Sequence, residues 1–127
     1  MTDLSPRAWT AAELARLDAA PLIRVAGARA DGTLLPFVPV GHVRLEDDEL
    51  IRSLNGRAGA WYRGAIRRGW GAIEVDGERI RVAFLVDEGR EAEIDEALRS
   101  RYGDDSGVRR MTRPPARDAT LRLTPLA

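Results

Sequence analysis

The chain has 127 residues, enough for one hydrophobic core and too few for two of ordinary size, and is read as a single domain over 1–127. Twenty basic residues balance twenty acidic ones, so no net field draws it to nucleic acid or to an anionic bilayer. All the basic residues are arginine and the chain has no cysteine, which excludes lysine Schiff bases, disulfides, thiolate catalysis and Cys-based metal centres; the lone histidine, His42, excludes a multi-histidine metal site within one chain. The arginine, alanine and glycine bias fits a GC-rich genome. With 44% apolar residues spread along its length, the chain is expected to fold. No apolar run nears the roughly 20 residues of a membrane span, and residues 1–7 lack a signal core, so the expected location is the cytoplasm.

In chain order, Thr10-Ala11-Ala12-Glu13 is a capping box flanked by Trp9 and Leu14, and it predicts a helix over 11–19 that Pro21 ends. Residues 22–28 form a short apolar strand, and Asp31-Gly32 supplies a turn. Residues 34–46 are β-like but interrupted by Pro36, Pro39 and Gly41, which places an edge or a bulge there. A turn at Asp47-Asp48 leads to a strand over 50–54, whose alternation puts Leu50, Arg52 and Leu54 on one face and Ile51 and Ser53 on the other. Residues 58–68 place Ala58, Trp61, Tyr62, Ala65 and Ile66 on one helical stripe. Strands 70–75 and 78–86 flank Asp76-Gly77, the strongest hairpin signal in the chain. A second amphipathic helix runs over 91–102 and stops at Gly103; 104–118 reads as an arginine-rich loop around Pro114-Pro115; 119–123 is the last strand. About six strands with two to three short helices inserted singly predict an α+β fold, a small antiparallel barrel or a strongly curled sheet.

The densest chemistry lies at 52–63, where a strand ends in a glycine-rich loop and opens a helix. Free N–H groups at that helix start, with Arg52, Ser53 and Arg57, suit a phosphate group. The plainer reading has Gly56 and Gly59 making the turn, Trp61 and Tyr62 in the core and the arginines in solvent. Arg52 stands apart: an arginine on an apolar strand face needs an anionic partner, either a carboxylate of the protein or a ligand. His42 could serve as an acid–base group, but a lone histidine with no evident partner reads instead as a structural or exposed residue. Arg109, Arg110, Arg113 and Arg117 could close over an anion or simply face water. Asp3, Asp47, Asp48, Asp104 and Asp105 have no metal-ligand spacing, and no nucleophile–base pair is present.

Trp9-Thr10 with Glu13-Leu14, Ile51-Arg52-Ser53 with Gly56 and Trp61-Tyr62-Arg63, Ile94-Asp95 with Arg101-Tyr102, Ala119-Thr120 and Thr124-Pro125 together resemble the bacterial family called domain of unknown function 2255. That family is similar to the flavin-binding split β-barrels, the pyridoxamine-phosphate oxidases and deazaflavin-dependent nitroreductases. The resemblance implies a split barrel, a homodimer, FMN or a deazaflavin as cofactor, and an oxidoreductase acting on a small organic substrate. It implies a cofactor site at Arg52, Ser53, Gly56, Arg57, Trp61 and Tyr62, with the first three on phosphate and Trp61 along the ring. The alternative is a cofactor-free barrel that binds another anionic small molecule.

Overall fold

The computed structural model describes residues 3–127; the first two positions of the N-terminal stretch read above lie outside it. Helix α1 (Ala11–Ala19) begins at the expected capping box, in which the Glu13 N–H donates to Thr10 Oγ1 over 3.1 Å and the Thr10 N–H donates to Glu13 Oε1 over 2.9 Å. Strands β1 (Ile23–Gly27), β2 (Val38–Val40), β3 (His42–Leu45) and β4 (Asp48–Arg52) follow. After a 3-10 turn at Gly56–Ala58 come α2 (Ala60–Arg68), β5 (Trp70–Val75), β6 (Glu78–Val86) and α3 (Glu91–Tyr102). Helix α4 (Ser106–Met111), a second 3-10 turn and β7 (Thr120–Pro125) complete the chain.

All strand pairs are antiparallel, in the order β2-β1-β5-β6-β7-β4-β3. The two outer strands are separated only by Gly41, so one bent stretch pairs with β1 through its first half and with β4 through its second. The sheet thereby nearly closes, and its seven strand segments behave as the six strands of a split barrel. The prolines and the glycine of 34–46 mark this bend: Pro39 sits in β2 at the sheet margin, where a missing N–H is tolerated.

Inside the barrel Leu17, Ile23, Val25, Ile51, Ile73, Val82, Leu121 and Leu123 form the main core. A second cluster of Val43, Leu50, Ile94 and Leu98 glues α3 to the outside of β3 and β4. Strand β4 is therefore buried on both faces: Ile51 points into the barrel, while Leu50 and Arg52 point to α3. The hairpin β5–β6 turns at Asp76 and Gly77 with φ of 50° and 76°, the paired positive values of a type I′ turn. Helix α2 lies across β1 at a glycine crossing, where a Cβ on Gly27 would stand 2.6 Å from the Gly64 carbonyl oxygen.

Three local expectations change. Residues 104–118 are not a plain loop, because Asp105 caps α4 by accepting the Val108 N–H over 2.9 Å, and Ala116–Asp118 is a 3-10 turn. The turn before β4 falls at Glu46 and Asp47, with Asp48 already paired to Leu45. On α2 only Tyr62 and Ala65 are buried; Ile66 is exposed because the glycine crossing sets the helix with that flank outward.

Candidate functional site

Arg52, at the end of β4, has a surfeit of protein partners. Its Nε donates to Thr120 Oγ1 on β7 over 3.0 Å, Nη1 to Asp95 Oδ1 on α3 over 2.5 Å and to the Met111 carbonyl over 3.0 Å, and Nη2 to the Glu91 carbonyl over 3.3 Å. Asp95 takes a second guanidinium through Oδ2, from Arg117 Nε at 2.8 Å. Of the two anionic partners open to Arg52 from sequence, the structure supplies the carboxylate. Burial pushes the Asp95 carboxyl up, but Arg52 and Arg117 together outweigh it and leave it below the ordinary aspartate value. The cluster ties β4, β7, α3 and α4 together.

Directly against it lies a cavity of about 430 Å³, within the range of small-molecule sites. Pro39, Val40 and Gly41 of the barrel bend form one wall, Trp61 of α2 and Leu54 another, and Tyr102 with Val108 and Met111 a third. Leu22 closes one side, and Arg52, Asn55 and Asp105 contribute the charged and amide groups. The Tyr102 hydroxyl accepts the His42 N–H over 3.1 Å and lies 2.7 Å from the Pro21 carbonyl, which fixes the ring at the cavity edge. Such a lining suits a flat, largely apolar ring system with few polar groups.

Of the six residues named from sequence, Arg52 and Trp61 line this cavity. Arg57 and Tyr62 border a separate shallow depression with Arg63, Ile66, Arg67 and Val86. Arg57 is also committed to the protein, through the Asp118 carbonyl at 2.9 Å and Glu88 Oε1 at 2.8 Å. Ser53 and Gly56 are buried and line neither space; Ser53 Oγ has no protein partner and lies under Gly59, where a Cβ would stand 2.6 Å from it. Sequence reasoning missed Tyr102, Asn55 and the α4 wall as site residues. The one local signal for α4 was Asp105, a good cap three residues before Val108.

His42 is sealed behind the cavity wall. Its Nδ1 pairs with Glu49 Oε1, its Nε2 lies 2.6 Å from the Ala20 carbonyl and 3.3 Å from Arg101 Nη2, and both His42 and Glu49 are 1% exposed. Burial pushes the Glu49 carboxyl above its ordinary value, against the opposing pull of His42. Among the described residues no helix is long and apolar enough to cross a membrane.

The nearly closed bend and the antiparallel seven-segment sheet define a split-barrel protein. The chain belongs to the family described as an uncharacterized protein conserved in bacteria, DUF2255, which it matches over residues 13–123. Its fold is similar to HutZ, the heme storage protein of Vibrio cholerae, with a TM-score of 0.67 at 11% identity over 92% of this chain and 90% of that one. It is also similar to the conserved hypothetical protein Rv2991 of Mycobacterium tuberculosis, with a TM-score of 0.64 at 12% identity over 100% and 86%. A candidate pyridoxamine 5′-phosphate oxidase of Listeria innocua gives 0.57 at 11% identity over 89% and 88%. At these identities the likeness is one of fold. No curated protein matches the sequence.

Proposed function

We propose that the protein is a cytoplasmic, homodimeric split-barrel oxidoreductase that holds FMN or a deazaflavin with its ring in the 430 Å³ cavity and acts on a small organic substrate. The observation that carries the reading is the cavity lining, in which Trp61, Tyr102, Pro39 and Met111 offer flat apolar contact next to the fixed guanidinium of Arg52. A bound flavin supplies hydride-transfer chemistry; the chain's part is to position the ring and exclude water from it. Trp61 would help hold the ring, and Arg52, held by Asp95, presents a fixed positive edge to the cavity. Ile66 and Val86, exposed by 42% and 52%, line one shallow depression and are the apolar patch assigned to contact with a second copy.

Heme is the rival ligand that HutZ raises. The residues here do not suit it as well, because the chain's single histidine is buried with both ring nitrogens facing protein partners and is not offered to an iron. A cofactor-free barrel taking another anionic metabolite is the second reading, favoured by the protein partners that already engage Arg52.

The test is titration with FMN, riboflavin and a 5-deazaflavin, followed by fluorescence. The flavin reading expects saturable binding at micromolar or lower concentration, weakened about five- to tenfold by Trp61→Ala, the size of a lost aromatic contact. Failure of all three to bind would refute the flavin reading and leave the cofactor-free barrel. Sedimentation equilibrium tests the dimer, and a monomer would remove that part.

A further inference from the structure

The cavity needs a place for an anionic group if it takes a ligand such as FMN, and the arginines nearest it differ in how many donors they have left. Arg52 has all three nitrogens engaged and is 3% exposed. Arg57 is held by Glu88 and the Asp118 carbonyl, and Arg117 by Asp95. Arg109 leans on Asp104, with its Nη2 3.4 Å from that residue's carbonyl and its Nε 3.9 Å from its carboxylate. Arg113, two residues past Met111, is exposed with no side-chain hydrogen bond or ion pair among the described residues, so nothing aims it at the cavity. Arg110 is different, because it is aimed. It stands on α4 between two cavity-lining residues, Val108 and Met111, and its Nη2 donates over 3.0 Å to Oδ1 of Asn55, itself part of the lining. That single bond aims the guanidinium at the rim and leaves most of its five N–H donors unused.

From this we infer that the anionic tail of a ligand in the cavity is bound at the rim by Arg110, steered by Asn55, and not by Arg52. The inference rests on the ring-binding reading and adds to it the residue that discriminates a phosphorylated ligand from its neutral counterpart. A ring held in the cavity by Trp61 and Tyr102 would leave its anionic group to the rim at Asn55, where the Arg110 guanidinium fork would match a phosphate in two-point contact. Asp105, the acidic lining residue, is turned toward α4, which it caps through the Val108 N–H, and the charge it keeps is one that the Arg110 guanidinium has to outweigh for an anion to bind.

The experiment compares FMN with riboflavin, which share the ring and differ by the phosphate, on the full chain and on Arg110→Ala, Asn55→Ala and Arg109→Ala. The expected result is that the full chain prefers FMN and that Arg110→Ala weakens FMN about tenfold or more while leaving riboflavin unchanged. Asn55→Ala reduces the preference in part, and Arg109→Ala leaves it intact. Thermal unfolding of each variant verifies that it folds, as expected for an exposed side chain. A preference for FMN that survives Arg110→Ala, or an equal loss for both ligands, overturns this inference and leaves ring binding standing. If neither flavin binds the full chain, both the ring-binding reading and this inference fall together.

Discussion

Asp95 is where a single substitution reads out most. Asn in its place keeps the volume and removes the charge, leaving the Arg52 guanidinium buried without a counter-charge; breaking one partner of such a pair costs about 3–5 kcal/mol. At roughly 2.1 cal/mol/K of unfolding entropy per residue, a chain of 127 residues loses on the order of 10–20 °C in Tm. Arg117→Ala, which removes the half-exposed outer partner, is expected to cost far less than Asp95→Asn. The double replacement Arg52→Met with Asp95→Leu should recover most of the loss, because no charge is then left buried. The pH dependence has a definite sign. The Asp95 carboxyl lies below its ordinary value in the folded chain, so its contribution is complete above about pH 4 and disappears as pH falls through the lowered folded value. Urea unfolding followed by circular dichroism at pH 7, and again below pH 4, measures all of this. An Asp95→Asn midpoint within about 1 kcal/mol of wild type at pH 7 would show that Arg52 does not depend on this carboxylate, and the case for Arg110 over Arg52 would weaken with it.

Two further outcomes test other parts of the fold. The Arg7 guanidinium, 2.8 Å from each Glu13 oxygen, outweighs burial and holds that carboxyl down from 4.5 to about 2. Glu13→Gln should therefore lose on the order of 2–3 kcal/mol at pH 7 and show a flatter stability profile than wild type from about pH 4.5 down to 2; parallel acid profiles would refute the assignment. Gly27→Ala forces a Cβ to within 2.6 Å of a backbone oxygen of α2 and should destabilise by about 1–3 kcal/mol, measured by urea midpoint, with an unchanged midpoint excluding that crossing.

What sequence could show depended on how local the cause was. Helix α1 and hairpin β5–β6 emerge with the expected bounds because a capping box and an Asp-Gly turn each act within a few residues. Helix α3 does so because its apolar stripe and its Gly103 stop lie on one continuous segment. Helix α4 was hard to see: six residues containing Gly107 and two arginines carry no stripe, its one local signal is the Asp105 cap, and packing against α3 and the following 3-10 turn helps hold it. The need of Arg52 for an anion was legible from its place beside Leu50. That the anion is Asp95, 43 positions later, follows only from the docking of α3 on β3 and β4 through Ile94 and Leu98. Trp61 was legible in part, since the helical spacing that put it toward the core also puts it at the cavity, where it is half-buried.

The balance of charges conceals an uneven placement of them, and that placement bears on function. The arginines closest to the barrel end are engaged with Asp95, Glu88 and main-chain carbonyls, and these contacts hold together the elements that frame the cavity. A guanidinium fixed by several acceptors can present an electrostatic edge to a ring but cannot turn to follow a phosphate. The proposed ligand discrimination then falls to the rim, on α4, where Arg110 has one anchor and open donors. Of the strand-end arginine and the nearby glycine turn read from sequence, Arg52 lines the cavity and Gly56 does not. Which arginine meets the ligand is decided by which ones the fold has already engaged.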